Sequence, residues 1–148
     1  MSRARRVASK ATLDTRRPSD WGEGMNNPEV TMHETQQSTG FDALDKAISA
    51  AGIAISLSIR VPAPLKPIAD QVIRSASSVP ANLAEGAGRT GRDRTHHYRI
   101  ALDSANEVDT HLRLLVAAGA IDTTRTESSL QLFDDVRAMI WRLLHPKP

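Results

Sequence analysis

The chain has no cysteine, only 3% aromatic residues and no long apolar run among its 148 residues. Without cysteine there can be no disulfide and no thiolate metal site, which suits a reducing compartment and is read as cytoplasmic. No apolar stretch approaches the roughly 20 residues of a membrane span, so no membrane partner is expected. Nor is there a strong imbalance of charge, with 19 basic and 17 acidic side chains. A length of this order suits one domain.

Runs that alternate apolar and polar residues are absent as well, which argues against strands. What the chain does contain is helical periodicity from Phe41 onward, in four segments with short breaks between them. The first, about Asp42 to Arg60, draws an apolar face from Leu44, Ile48, Ala51, Ile55 and Ile59 and stops at Pro62 and Pro64. The second, about Leu65 to Gly86, places Leu65, Ile68, Val72, Ala76, Val79 and Leu83 on one stripe. That register passes through Pro80 unchanged, so a single kinked helix is expected despite a cost of about 3 kcal/mol. Gly86 and Gly88 should loosen its end. The third opens near Thr90 with a weak capping box from Thr90 and Asp93 and ends near Gly119. Its seam is Tyr98, Ala101, Ala105, Val108, Leu112 and Leu115, while Ile100 and Leu114 point almost opposite and suggest a second buried surface in an oligomer. The fourth, about Thr123 to Leu144, offers Leu132, Phe133, Val136, Met139, Ile140, Leu143 and Leu144 to a core. The expected fold is all-α: an antiparallel up-down four-helix bundle over residues 41–148 with a disordered N-terminal tail.

That tail, residues 1–40, is rich in Gly, Pro, Ser, Thr, Asn and Gln and poor in large apolar groups. Residues 1–17 carry six Arg or Lys against one Asp, and residues 18–40 carry four acids and no Arg or Lys. The basic start resembles a transit peptide in composition alone, and a basic arm touching nucleic acid is a further reading. Translation starting at Met25 or Met32 would make the earliest residues a product of gene calling.

The second helix carries a polar face beside its apolar one. Gln71, Ser75, Ser78, Asn82, Glu85 and Arg89 fall within roughly 80° of one another at 100° per residue. These are mostly short amides and hydroxyls rather than the Lys and Glu of a solvated face. A packed hydrogen-bonded contact and an ordinary exposed face both remain open.

The segment Arg74 to Arg89, RSASSVPANLAEGAGR, resembles the pattern R-A-x-x-S-I-P-x-N-I-A-E-G-x-x-R of the four-helix-bundle proteins first found in intervening sequences of 23S ribosomal RNA genes. Arg74, Ser78, Pro80, Asn82, Ala84, Glu85, Gly86 and Arg89 match it, and Gln71 matches the Gln upstream. The later G-S-x-x-E-L-like element looks like Asp103, Ser104, Glu107 and Val108, with Asp103 in place of Gly. The resemblance spans roughly residues 41 to 144. It implies a bundle that assembles as a ring, with homopentamers among the relatives, and no established catalytic activity. A related group, the accessory proteins of diversity-generating retroelements, forms a basic pentameric barrel that associates with a reverse transcriptase and with nucleic acid. On that basis Gln71, Arg74, Ser75, Ser78, Asn82 and Glu85 are expected to form an oligomer interface or polar network.

The candidate binding site is Arg89 to Arg99, RTGRDRTHHYR, where Arg89, Arg92, Arg94, His96 and Arg99 crowd a helix start that already carries about half a positive charge. Phosphates would relieve that potential, so RNA or DNA is an expected ligand, with phosphate contacts dominant. A solvated cluster neutralised by Asp93, Asp103 and other subunits is the bland alternative. Base stacking is expected to contribute little, because Tyr98, Phe133 and Trp141 sit among apolar neighbours in the sequence. No metal, cofactor or catalytic residue is expected. Glu107 is followed three residues on by Thr110 rather than His, His111 lies at i+4, and adjacent His96 and His97 diverge by about 100°. Neither a G-x-S-x-G elbow nor a glycine-rich phosphate loop is present. The rival to a nucleic-acid-binding assembly is a scaffold that docks a protein such as a reverse transcriptase.

Overall fold

The computed structural model describes residues 41–147, and the tail expected over residues 1–40 lies outside them. The described residues form four α-helices, α1 (Asp42–Ile59), α2 (Lys66–Ala87), α3 (Gly91–Ala117) and α4 (Thr123–Leu144), with a single 3-10 turn at Ala63–Leu65 before α2. Each helix packs on its chain neighbours and α4 closes back on α1, the arrangement of an antiparallel up-down bundle. No strand occurs among the described residues.

Local chemistry sets the ends. Asp42 and Asp45 occupy the first turn of α1, where carboxylates offset the positive end of the helix dipole. After α3 the chain turns at Gly119, whose φ of 68° needs glycine. The Gly119 N–H then donates to the Val116 carbonyl and the Ala120 N–H to the Leu115 carbonyl, both at 2.9 Å, which is the Schellman pattern of a helix stop. Asp122 starts α4 by accepting from the Arg125 N–H at 3.0 Å. The box expected at the start of α3 does not form. Thr90 is the N-cap residue and has the extended backbone of one, but its hydroxyl makes no cap bond, and Gly91 follows with φ of 57°.

Helix α2 runs unbroken through Pro80. Val72, Ala76, Val79 and Leu83 on either side of the proline are all fully buried. Burying a Val or Leu is worth about 1.5–3 kcal/mol, so together they outweigh the roughly 3 kcal/mol of a proline in a helix interior. The α3 seam is buried throughout, as are Phe133, Val136 and Ile140 of α4.

Helix α1 differs from expectation. Its buried face is Ala43, Ala47, Ala50, Ala51, Ala54 and Ser58, while Ile48 is 41% and Ile59 61% exposed. Only Ala51 of the expected face is buried, with Leu44 and Ile55 packed partly against the core. The reason is steric. Leu83, Leu112, Leu115, Phe133 and Ile140 already fill the centre, and facing them with small residues lets α1 approach closely. Buried hydroxyls are satisfied locally: Ser58 donates to the Ala54 carbonyl at 2.8 Å, and Ser129 crosses to the Ala50 carbonyl at 3.2 Å.

Ion pairs stitch the α4 side. Lys46 meets Asp135 at 2.5 Å, and Asp109 of α3 meets Arg113 at 2.7 Å and Arg137 of α4 at 3.5 Å. Burial alone would raise the Asp109 carboxyl. The hydrogen bonds and charges of Arg113 and Arg137 outweigh it and hold the group below the usual carboxylate range. A depressed carboxylate contributes stability above its unfolded pKa of about 4, and that contribution disappears as pH falls through the folded value. Asp109→Asn should therefore melt below the parent protein at pH 7 and converge with it in strong acid, as read by thermal melts across that range.

Candidate functional site

The end of the bundle that gathers the start of α3 is built on a close approach of α2 and α3. Gly86 is buried, and a Cβ placed there would lie 2.5 Å from the Tyr98 ring and 3.3 Å from the His97 Cβ. Gly86 is therefore the notch that seats Tyr98 rather than a residue that loosens the helix end. A tight turn follows, with the Arg89 N–H donating to the Gly86 carbonyl at 3.1 Å and Gly91 reversing the chain.

Most of the polar face of α2 is engaged within the chain. Buried Ser75 donates to the Gln71 carbonyl at 2.7 Å. Asn82 Nδ2 donates to the Ser78 carbonyl at 2.9 Å and to Ser78 Oγ at 3.1 Å, and Ser104 of α3 donates to the same Oγ at 2.9 Å. His97 Nδ1 lies 3.1 Å from Asn82 Oδ1 and 3.3 Å from Glu85 Oε2. Both partners are acceptors, so Nδ1 must carry the proton. Ser78, Asn82 and Glu85 thus join His97 and Ser104 in one network across α2 and α3. Arg74 stays exposed and Gln71 half-buried. His97 and Ser104 were missed in the sequence, although their spacing of two turns at the edge of the α3 seam marks them as sharing a face.

The basic residues divide. Arg89, Arg92, Arg94, His96 and Arg99 are all exposed. At 100° per residue Arg92, His96 and Arg99 share a sector of roughly 60° on the outside of α3. Arg94 turns away and donates from Nε to the Arg89 carbonyl at 2.7 Å. Among the described residues none of these arginines forms an ion pair, not even with Asp93 or Asp103. The strip is cationic and carries no ion pair, with exposed Asp103 in the same sector one turn beyond Arg99.

The aromatics divide too. Tyr98 and Phe133 are buried, whereas Trp141 is 56% exposed and stacks on His145 with ring centroids 4.4 Å apart. Trp141 sits about a quarter turn round α4 from buried Phe133 and Ile140, so apolar neighbours in the sequence did not place it in the core.

Chemically the network holds protons and hydrogen bonds in place, but no hydroxyl or other nucleophile is bonded to the second nitrogen of His97. Two clefts lie elsewhere, on the α3–α4 side near Val116, Thr126 and Leu130 and where α1 ends beside Ile121. Among the described residues no group of three or more His, Asp or Glu is placed to hold a metal ion, and no helix is long and apolar enough to cross a membrane.

Residues 42–142 match the family model described as 23S rRNA-intervening sequence protein. The chain is also similar in fold to a solved Bacteroides thetaiotaomicron protein of unknown function from the S23 ribosomal protein family. That likeness covers 70% of this chain and 96% of the other at 24% identity, with a TM-score of 0.64. No curated protein matches. Neither similarity points to a catalytic family.

Proposed function

Given that the chain belongs to the 23S rRNA-intervening sequence protein family, we propose that it is a non-enzymatic, self-assembling bundle that holds nucleic acid by its phosphates. The observation that carries this reading is the strip of Arg92, His96 and Arg99, exposed on one face and without an ion-pair partner among the described residues. Unpaired arginines beside the positive end of a helix raise the local potential, and a polyanion lowers it. Assembly multiplies the effect by presenting several copies of the strip to one strand. Support for assembly comes from the apolar groups left outside the core, Ile48, Ile59 and Leu114, which a second copy would cover. Five subunits is the ring size the family resemblance favours, and a cytoplasmic setting suits a chain without cysteine.

Replacing Arg92 and Arg99 with Ser should weaken binding to RNA and DNA and lower the slope of log affinity against log salt by about one per lost phosphate contact. Arg94→Ser should do less, because that side chain is tied to the Arg89 carbonyl. Sedimentation on the same samples should give an unchanged multimeric mass. Affinity that resists high salt would sink the phosphate reading, and a monodisperse monomer would sink the assembly.

A further inference from the structure

We propose that the α3–α4 side of this basic end is a site for single-stranded nucleic acid, in which Trp141 stacks a base while Arg99 and Arg92 take phosphates. This rests on the phosphate-binding reading above and adds to it the class of strand.

An exposed indole is the first ground. Trp141 leaves 56% of its surface to solvent in a chain with 3% aromatics. It is also held in place. One ring face is covered by the His145 imidazole at an interplanar angle of 25°, and His145 Nδ1–H donates back to the Trp141 carbonyl at 2.9 Å. A positioned indole that leaves more than half its surface to solvent is what a base can stack on at little cost of ordering the ring.

Register is the second. The Asp109–Arg137 contact at 3.5 Å marks where α3 and α4 lie level. From there Arg99 is about 15 Å back along α3 and Trp141 about 6 Å on along α4, at 1.5 Å per residue. The helices are antiparallel, so both displacements run toward the same end. On the helical wheels Arg99 lies within about 80° of Asp109 and Trp141 within about 40° of Arg137. Trp141 therefore borders the α3–α4 groove and Arg99 stands at its outer rim, since its 80° runs away from the α3 seam, with neighbouring helix axes some 8–10 Å apart. Arg92 continues the strip two turns beyond Arg99, and exposed Arg142 and Lys147 flank Trp141. The acids on this side are Asp109 and Asp134, both paired with Arg137, and exposed Asp103.

The class of strand follows from the chemistry. A duplex offers phosphates but hides its base faces in the stack, whereas an unpaired strand offers both. A protein partner would also use an exposed tryptophan, and the test separates the two.

The full-length chain carrying Trp21→Phe leaves Trp141 as its sole indole. Its binding to fluorescein-labelled oligothymidylate of about twenty nucleotides is compared with binding to a duplex of that length, and tryptophan emission is followed with unlabelled strand. Oligothymidylate should quench Trp141. Trp141→Ala should weaken single-strand binding by about ten- to a hundred-fold and leave duplex binding and the melting curve unchanged, and Trp141→Phe should retain most of the affinity. Unchanged emission on binding, or equal effects of Trp141→Ala on both nucleic acids, overturns the proposal. If Arg92→Ser with Arg99→Ser weakens both nucleic acids while Trp141→Ala weakens neither, the single-strand site falls and the phosphate reading stands. If neither nucleic acid binds the parent protein, both fall and Trp141 is left as a protein contact.

Discussion

Gly86→Val is expected to destabilise the bundle by about 3 kcal/mol, lowering the melting temperature by roughly ten degrees or more. The Tyr98 ring lies 2.5 Å from where the new Cβ would sit, and Tyr98 is only 5% exposed, so it has no open space into which to retreat. Helix propensity works the other way. Alanine is favoured over glycine inside a helix by about 1 kcal/mol and valine by less, but alanine already carries the clashing Cβ, so Gly86→Ala should destabilise too, by less than Gly86→Val, whose γ-methyls add to the overlap. A double-mutant cycle with Tyr98→Ala isolates the contact. Removing the ring should make Gly86→Val far less damaging, and an unchanged penalty in that background would refute the notch.

Asn82→Leu should cost about 2–3 kcal/mol although leucine matches asparagine in size. Three interactions end together: the two Nδ2 bonds to Ser78 and the acceptor for His97 Nδ1–H. The histidine is then left with Glu85 at 3.3 Å, half-buried at the helix contact. A group deprived of its partner and still shielded from water forfeits its solvation, which is why the loss exceeds that of one exchanged hydrogen bond. Asn82→Asp is the informative companion. It keeps the acceptor facing His97 and gives up the donors to Ser78, so it should recover part of the loss. Thermal melts of both, with Arg92→Ser as a surface control that leaves stability within about 0.5 kcal/mol, check the assignment. Equal melting of Asn82→Leu and the control would mean that the network adds nothing.

Both results concern the signature stretch, and they mark how far it could be read beforehand. That Val72, Ala76, Val79 and Leu83 keep one register across Pro80 was visible in the residues, because three- and four-residue spacing is a property of the chain alone. That Ser78, Asn82 and Glu85 form a packed contact was one of two open readings. Its partners His97 and Ser104 lie 15 and 26 residues on from Asn82 and Ser78, on another helix, and spacing within α2 cannot name them. The cationic strip was legible as composition, and helical periodicity alone sets Arg94 about 160° from Arg92, but the bond that ties Arg94 to the Arg89 carbonyl needed the turn at Gly91.

By itself, then, the sequence determined the four helices, their breaks and their family, since Pro62, Gly119 and Asp122 act on the backbone wherever the helices come to rest. Tertiary structure alone decided which face of α1 is inside and that Trp141 is outside. Helix α1 carries an alanine sector and an isoleucine sector side by side, and periodicity supports either. The choice fell to alanine because Leu83, Leu112, Phe133 and Ile140, from the three other helices, leave room at the centre for methyl groups only.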